Sequence, residues 1–206
     1  MLKSLTFILI VINLVVFVIE PKTAGFSIDI DHPINEMLQF TPAKALDMPW
    51  TFVTSTFMHA DLQHIVFNMV GLFIFGLFLE SKVRPVTFIV IYLLAGIVGN
   101  LGYMITASDS LVPGVGASGA IYGVMGVLGV IVPRASIYVM LIPIPVPMFV
   151  AVIFYAIFEF LGFFAPGNIA RGAHLGGLFI GVAYGFWLRH QYTKRYRKPV
   201  TISYSY

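Results

Sequence analysis

The stretch PGVGASGAIYG, residues 113–123, holds four glycines and a lone serine, Ser118, and leads directly into an apolar run. Gly116 stands two positions before the serine and Gly119 immediately after it. Two readings compete. Small residues let helices approach closely, or the glycines expose Ser118 for chemistry. The choice depends on where in the molecule this stretch lies.

The chain has 206 residues, 59% hydrophobic and 10% charged, with mean hydropathy +0.93. Soluble domains carry about 25% charged residues, so this composition belongs in lipid. A span takes about 20 apolar residues, and the length allows roughly six of them in one polytopic domain covering 1–206. The absence of cysteine excludes disulfides and thiolate chemistry. The basic pI near 9.2 does not indicate nucleic-acid binding, because the basic residues flank apolar runs instead of forming a basic domain. Lys3 and the apolar stretch to Ile19 resemble a signal peptide. The EPKTAGF that follows is a poor cleavage site, so a retained first helix is expected.

The expected fold is an all-α membrane protein with helices over about 2–19, 62–80, 86–106, 118–133, 148–164 and 171–189, and a cytoplasmic tail over 190–206. Residues 20–61 are too polar to span and too apolar for a plain linker, so they read as an interfacial loop with Trp50 at headgroup level. The prolines of IPIPVP, 142–147, make an extended connector. Lys3, Lys82, Arg84, Arg134, Arg189, Lys194, Arg195, Arg197 and Lys198 fall on one side of this arrangement, and only Lys22, Lys44 and Arg171 on the other. The positive-inside rule then places both termini in the cytoplasm.

The fourth run is short. From Ser118 to Arg134 it rises about 24 Å, less than the ~30 Å hydrocarbon core, so Ser118 lies inside the membrane. Loop backbone at that depth must be buried in protein or line a wet cavity. Counted the same way, His174 lies about 22 Å above Arg189, and Asn68 about 21 Å above Lys82, with His64 one turn further out. Polar groups at such depth are expensive and mark function.

A serine hydroxyl needs a base to become a nucleophile, and His174 is the base at a matched depth. His64 and Asn68 share a helical face and can donate N–H groups to an oxyanion. The Ser118 N–H at a helix start can do the same. Gly116 and Gly119 permit a tight backbone there. Tyr122, one turn below Ser118, is placed to orient the imidazole. No Asp or Glu is expected beside His174, which makes a dyad and not a triad. Glu80 and Glu159, near helix ends, read as interface pairs. His59 reads as a structural donor to the long loop, and Gly177 and Gly181 as close-packing positions. No cofactor is implied, and His59 with His64, five apart and without a carboxylate, makes a poor metal site.

With these residues in order, the sequence resembles the rhomboid intramembrane serine proteases. GASG (116–119), AHLGGLFIG (173–181), HADLQHIVFN (59–68) and Tyr122 carry the resemblance, which runs from the first helix to Arg189. It implies a bundle of six transmembrane helices with a membrane-embedded first loop, Ser118 as nucleophile, His174 as general base, and His64, Asn68 and the Ser118 N–H as the oxyanion hole. It implies transmembrane protein substrates, entry beside the fifth helix and the loop after Leu161, and a place in the cell membrane. Many members carry Trp-Arg in the first loop, whereas Thr51 follows Trp50 here. Two alternatives stand beside this reading: a non-catalytic relative that binds transmembrane helices, and a small channel or transporter, for which no inverted repeat speaks.

Overall fold

The computed structural model describes residues 4–23, 25–138, 144–164 and 170–196. Lys3 and residues 197–206 of the expected tail lie outside them, as do residues 142 and 143 of the IPIPVP connector and most of the loop after Leu161, while residues 190–196 of that tail continue the last helix past its expected end at 189. The chain is mostly helical. Its long helices are α1 (Leu5–Ile19), α2 (Leu62–Glu80), α3 (Pro85–Thr106), α4 (Ser118–Ile131), α5 (Met148–Gly162) and α6 (Arg171–Tyr196). Among the described residues α2 and α3 are both long and apolar enough to cross a membrane by themselves, while α1, α4 and α5 are shorter apolar helices. The described part of the connector is not free. Pro145–Pro147 pairs antiparallel with Ser136–Tyr138.

The helix ends follow local chemistry. Asp61 caps α2, its side chain accepting from the His64 N–H at 2.8 Å, and so orders the turn that carries His64. Pro85 opens α3 at a position where a missing N–H costs nothing. α4 stops at Ile131, two residues short of expectation, because Pro133 drives Val132 out of helical geometry. Within α2, Leu72–Gly76 forms a wider π turn. Glu80 at its end caps a different helix. Its carboxylate accepts from Ser4 Oγ at 2.7 Å, the Leu5 N–H at 2.7 Å, and Thr6 N–H and Oγ1 at 3.0 and 2.6 Å. A negative charge on the free N–H groups of α1 satisfies them and meets the positive end of the helix dipole.

α4 lies at the centre, against α6 and α3. Val124, Val127, Leu128, Leu72, Phe88 and Tyr92 are fully buried around it. The exterior is apolar instead of polar: Val18, Val86, Ile105 and Phe179 are each more than 70% exposed, whereas Thr6, Asn13, Asn35 and His59 are buried. A surface of this kind is stable only when lipid covers it.

The segment between α1 and α2 folds over the stretch that precedes α4. Phe40 and Gly114 exchange backbone hydrogen bonds, the Ala43 N–H donates to the Ser110 carbonyl, and the Gly116 N–H donates to the Ser55 carbonyl at 2.9 Å. Trp50 remains half exposed, its indole donating to the Met37 carbonyl at 2.8 Å. Thr51 is buried with its hydroxyl on the Met48 carbonyl. The loop is therefore held by Trp50 and by backbone pairing, without an arginine at position 51. Asn100 of α3 ties in the same segment, donating to the Phe52 carbonyl and Ser55 Oγ.

Candidate active site

Three backbones meet where Ser118 begins α4. A Cβ on Gly99 of α3 would lie 2.9 Å from the Ala173 carbonyl oxygen of α6, and one on Gly119 of α4 would lie 3.3 Å from the same atom. Below this level a Cβ on Gly177 would fall on the Gly119 carbonyl oxygen, and one on Gly181 on that of Gly123. Glycine here removes the side chains that would hold the helices apart. The outcome is that His174 Nε2 stands 2.8 Å from Ser118 Oγ. Both are half-buried. Tyr122 stacks on the imidazole, ring centroids 4.5 Å apart and planes 4° from parallel.

The pair opens on a cavity of about 860 Å³ that is also lined by His64, Asn68, Tyr122 and Tyr155. It separates α2 from α5. The Ala60 N–H donates to His64 Nδ1 at 3.3 Å, so the proton of a neutral His64 sits on Nε2 and that nitrogen is a donor. Asn68 spends one amide hydrogen on the His64 carbonyl at 3.0 Å and keeps the other. Ser118 is the first residue of α4 and has a backbone N–H without a helical partner. Gly116 adopts φ +125°, and a Cβ there would stand 2.7 Å from the His64 imidazole. Only glycine accommodates both that backbone and that neighbour.

One sequence expectation is corrected. A carboxylate does lie beside His174: Glu159 Oε1 is 3.0 Å from Nδ1. Glu159 also accepts from the Tyr122 hydroxyl at 2.6 Å and faces Arg171 Nη1 at 3.4 Å. Expected to pair at an interface near a helix end, it is instead buried behind the imidazole. Nδ1 itself has no well-aligned acceptor among the described residues. The rings of Tyr122 and His174 lie in parallel planes, and an oxygen bonded to the tyrosine hydroxyl reaches the imidazole obliquely.

His59 is the second correction. Instead of donating to the long loop, its ring nitrogens have no aligned partner among the described residues. It is fully buried, edge-on to His64 with centroids 5.2 Å apart. Burial, then the neighbouring His64, pushes its pKa down to about 3. An unfolded chain protonates this imidazole near pH 6.5 and the folded chain only near pH 3. Stability present at neutral pH is therefore lost as the pH falls through that window, by about 5 kcal/mol at most. Thermal unfolding in detergent from pH 7.5 to 4 checks this: the decline should be shallower in His59→Phe, and parallel declines would contradict it.

The model of the rhomboid domain matches residues 46–191. The chain belongs to the rhomboid family. It is 32% identical over 143 residues to the yeast Saccharomyces cerevisiae "Rhomboid protein 1, mitochondrial", covering 67% of this chain and 41% of that one. It is 34% identical over 133 residues to "Rhomboid protease GluP" of Bacillus subtilis, covering 64% and 24%. It is also similar to "Inactive RHOMBOID-like protein 8" of Arabidopsis thaliana, 29% identical over 79 residues, covering 38% and 22%. The chain spans less than half the length of each of these relatives. The rhomboid match includes Ser118, His174, His64, Asn68 and Glu159.

Proposed function

We propose that this rhomboid is an intramembrane serine endopeptidase of the cell membrane, with α1 to α6 as six spans and both termini in the cytoplasm. The observation that carries the reading is the 2.8 Å approach of His174 Nε2 to Ser118 Oγ at the edge of the cavity. In it, His174 takes the Ser118 proton as Oγ attacks a peptide carbonyl, then returns that proton to the departing amine. A water molecule, activated by His174, hydrolyses the acyl-enzyme. The oxyanion is met by His64 Nε2–H, the free Asn68 amide hydrogen and the Ser118 N–H. The cavity between α2 and α5 gives a substrate span a lateral route to Ser118. A helix has its carbonyls hydrogen-bonded internally, so the scissile segment must unwind, and substrates with glycine or proline near the outer end of their span are favoured.

The similarity to a relative named inactive keeps one rival, a helix-binding protein without catalysis. Covalent labelling of the purified chain by a fluorophosphonate separates them, because only an activated serine reacts. A single adduct on Ser118 is expected, and a chain that stays unlabelled beside an active serine protease contradicts the proposal. His64→Ala and Asn68→Ala should each lower the labelling rate by about 10²–10³-fold with Tm nearly unchanged. A wild-type rate in both would remove the oxyanion hole from the account.

A further inference from the structure

The carboxylate of Glu159 is only 3% exposed and is shared by three side chains. Tyr122 donates to Oε1, Arg171 Nη1 pairs with Oε2, and His174 Nδ1 stands 3.0 Å from Oε1. Burying an ionised carboxylate is costly unless it is paired and hydrogen-bonded, and Arg171 with the Tyr122 hydroxyl supplies that compensation. The imidazole side is incomplete: Nδ1 is buried, lacks an aligned acceptor among the described residues, and has Glu159 within ion-pair reach. A neutral histidine can carry its proton on either nitrogen. As a base toward Ser118, His174 must keep Nε2 bare and the proton on Nδ1.

We propose that Glu159 is a positioning residue for this reaction, holding His174 in the Nδ1–H tautomer and balancing the charge the ring takes up with the Ser118 proton. The inference rests on the Ser118–His174 reading. When Oγ loses its proton, Nε2 gains it and the imidazole becomes cationic. The Nδ1 proton stays on His174, turned toward a Glu159 that remains ionised beside Arg171, as an acidic residue does behind the histidine of a serine triad. A small tilt of the ring would align Nδ1–H with Oε1, which stands 3.0 Å away. The rival role for Glu159 is a brace joining α4, α5 and α6 through Tyr122 and Arg171. A brace predicts lost stability, not a slower chemical step.

The test uses the full chain in detergent and a fluorophosphonate titrated to saturation, which separates the limiting rate from the half-saturating concentration. Thermal unfolding is measured beside it. Glu159→Gln keeps the shape and removes the charge. It should lower the limiting rate about 100-fold with half-saturation and Tm little changed. Glu159→Asp, which keeps the charge and draws it back by one methylene, should recover part of that loss, and it serves as the test should the glutamine variant not fold. A wild-type limiting rate in Glu159→Gln overturns the proposal. So does equal loss in the glutamine and aspartate variants that follows their Tm. In either case the Ser118–His174 reading stands as long as wild type labels and His174→Ala does not. An unlabelled wild type overturns that reading and this inference together.

Discussion

Replacing Ser118 with alanine should reduce both proteolysis and covalent labelling by about 10⁵-fold or more. In the proposed mechanism Ser118 and His174 work as a unit. The hydroxyl is unreactive without a base, and the base has nothing to activate without the hydroxyl. His174→Ala should therefore be about as damaging, and the double variant no worse than either single one. The cost to the fold is small. Ser118 contributes a short side chain at the edge of the cavity, and its one side-chain partner among the described residues is His174 Nε2. Fluorophosphonate labelling with thermal unfolding in parallel checks this. Ser118→Ala should unfold within a few degrees of wild type and carry no adduct. An adduct on that variant would place the nucleophile elsewhere.

The second large effect is on the spacing of α4 and α6. Gly177 and Gly181 face the backbone of α4 so closely that an added methyl group meets carbonyl oxygens of Gly119 and Gly123, which belong to helix backbone and cannot swing aside. Gly177→Ala and Gly181→Ala should each destabilise the fold by about 3 kcal/mol. The same displacement separates Ser118 from His174. A hydrogen bond of 2.8 Å does not survive an added ångström, and such a misplacement costs about 10²-fold in rate. Labelling and thermal unfolding should thus fail together in these variants. Gly71→Ala is the contrast. Its Cβ would meet Ile121 Cγ2 at 3.4 Å and Cδ1 at 3.8 Å, ordinary contacts, and alanine favours a helix by about 1 kcal/mol over glycine. Wild-type stability in Gly177→Ala would mean that the helices have slack that this packing does not show.

Much of the site could be read from the sequence by depth alone. Ser118, His174 and Asn68 carry polar groups inside apolar runs, and counting residues to the basic anchor at one end of each run puts them on one level. The repeat of Gly177 and Gly181 on the His174 face likewise follows from helical spacing. Glu159 reads from the sequence as an interface pair and not as a neighbour of His174, for a physical reason. It lies three residues from the end of α5, where a carboxylate ordinarily reaches water, and the packing of α5 against α6 that brings it behind His174 leaves no periodic trace. A signal was there. Counting from Met148, Glu159 rises about 17 Å, within one turn of the histidine, so the count applied to the fifth run would have raised it. His59 was misread because its spacing to His64 says nothing of burial. The clamp of Phe40 on Gly114 and of Ser55 on Gly116 was illegible too, since it pairs irregular segments far apart in the chain.

The central claim is that Ser118 cuts peptide bonds inside the membrane. Its most direct test is to place the purified chain in liposomes with a single-span protein that has a glycine or proline near the outer end of its span, and to map the products by mass spectrometry. The account predicts one cut in the outer part of the span, absent with Ser118→Ala. An intact substrate, or a cut in its soluble part that persists in Ser118→Ala, would contradict it.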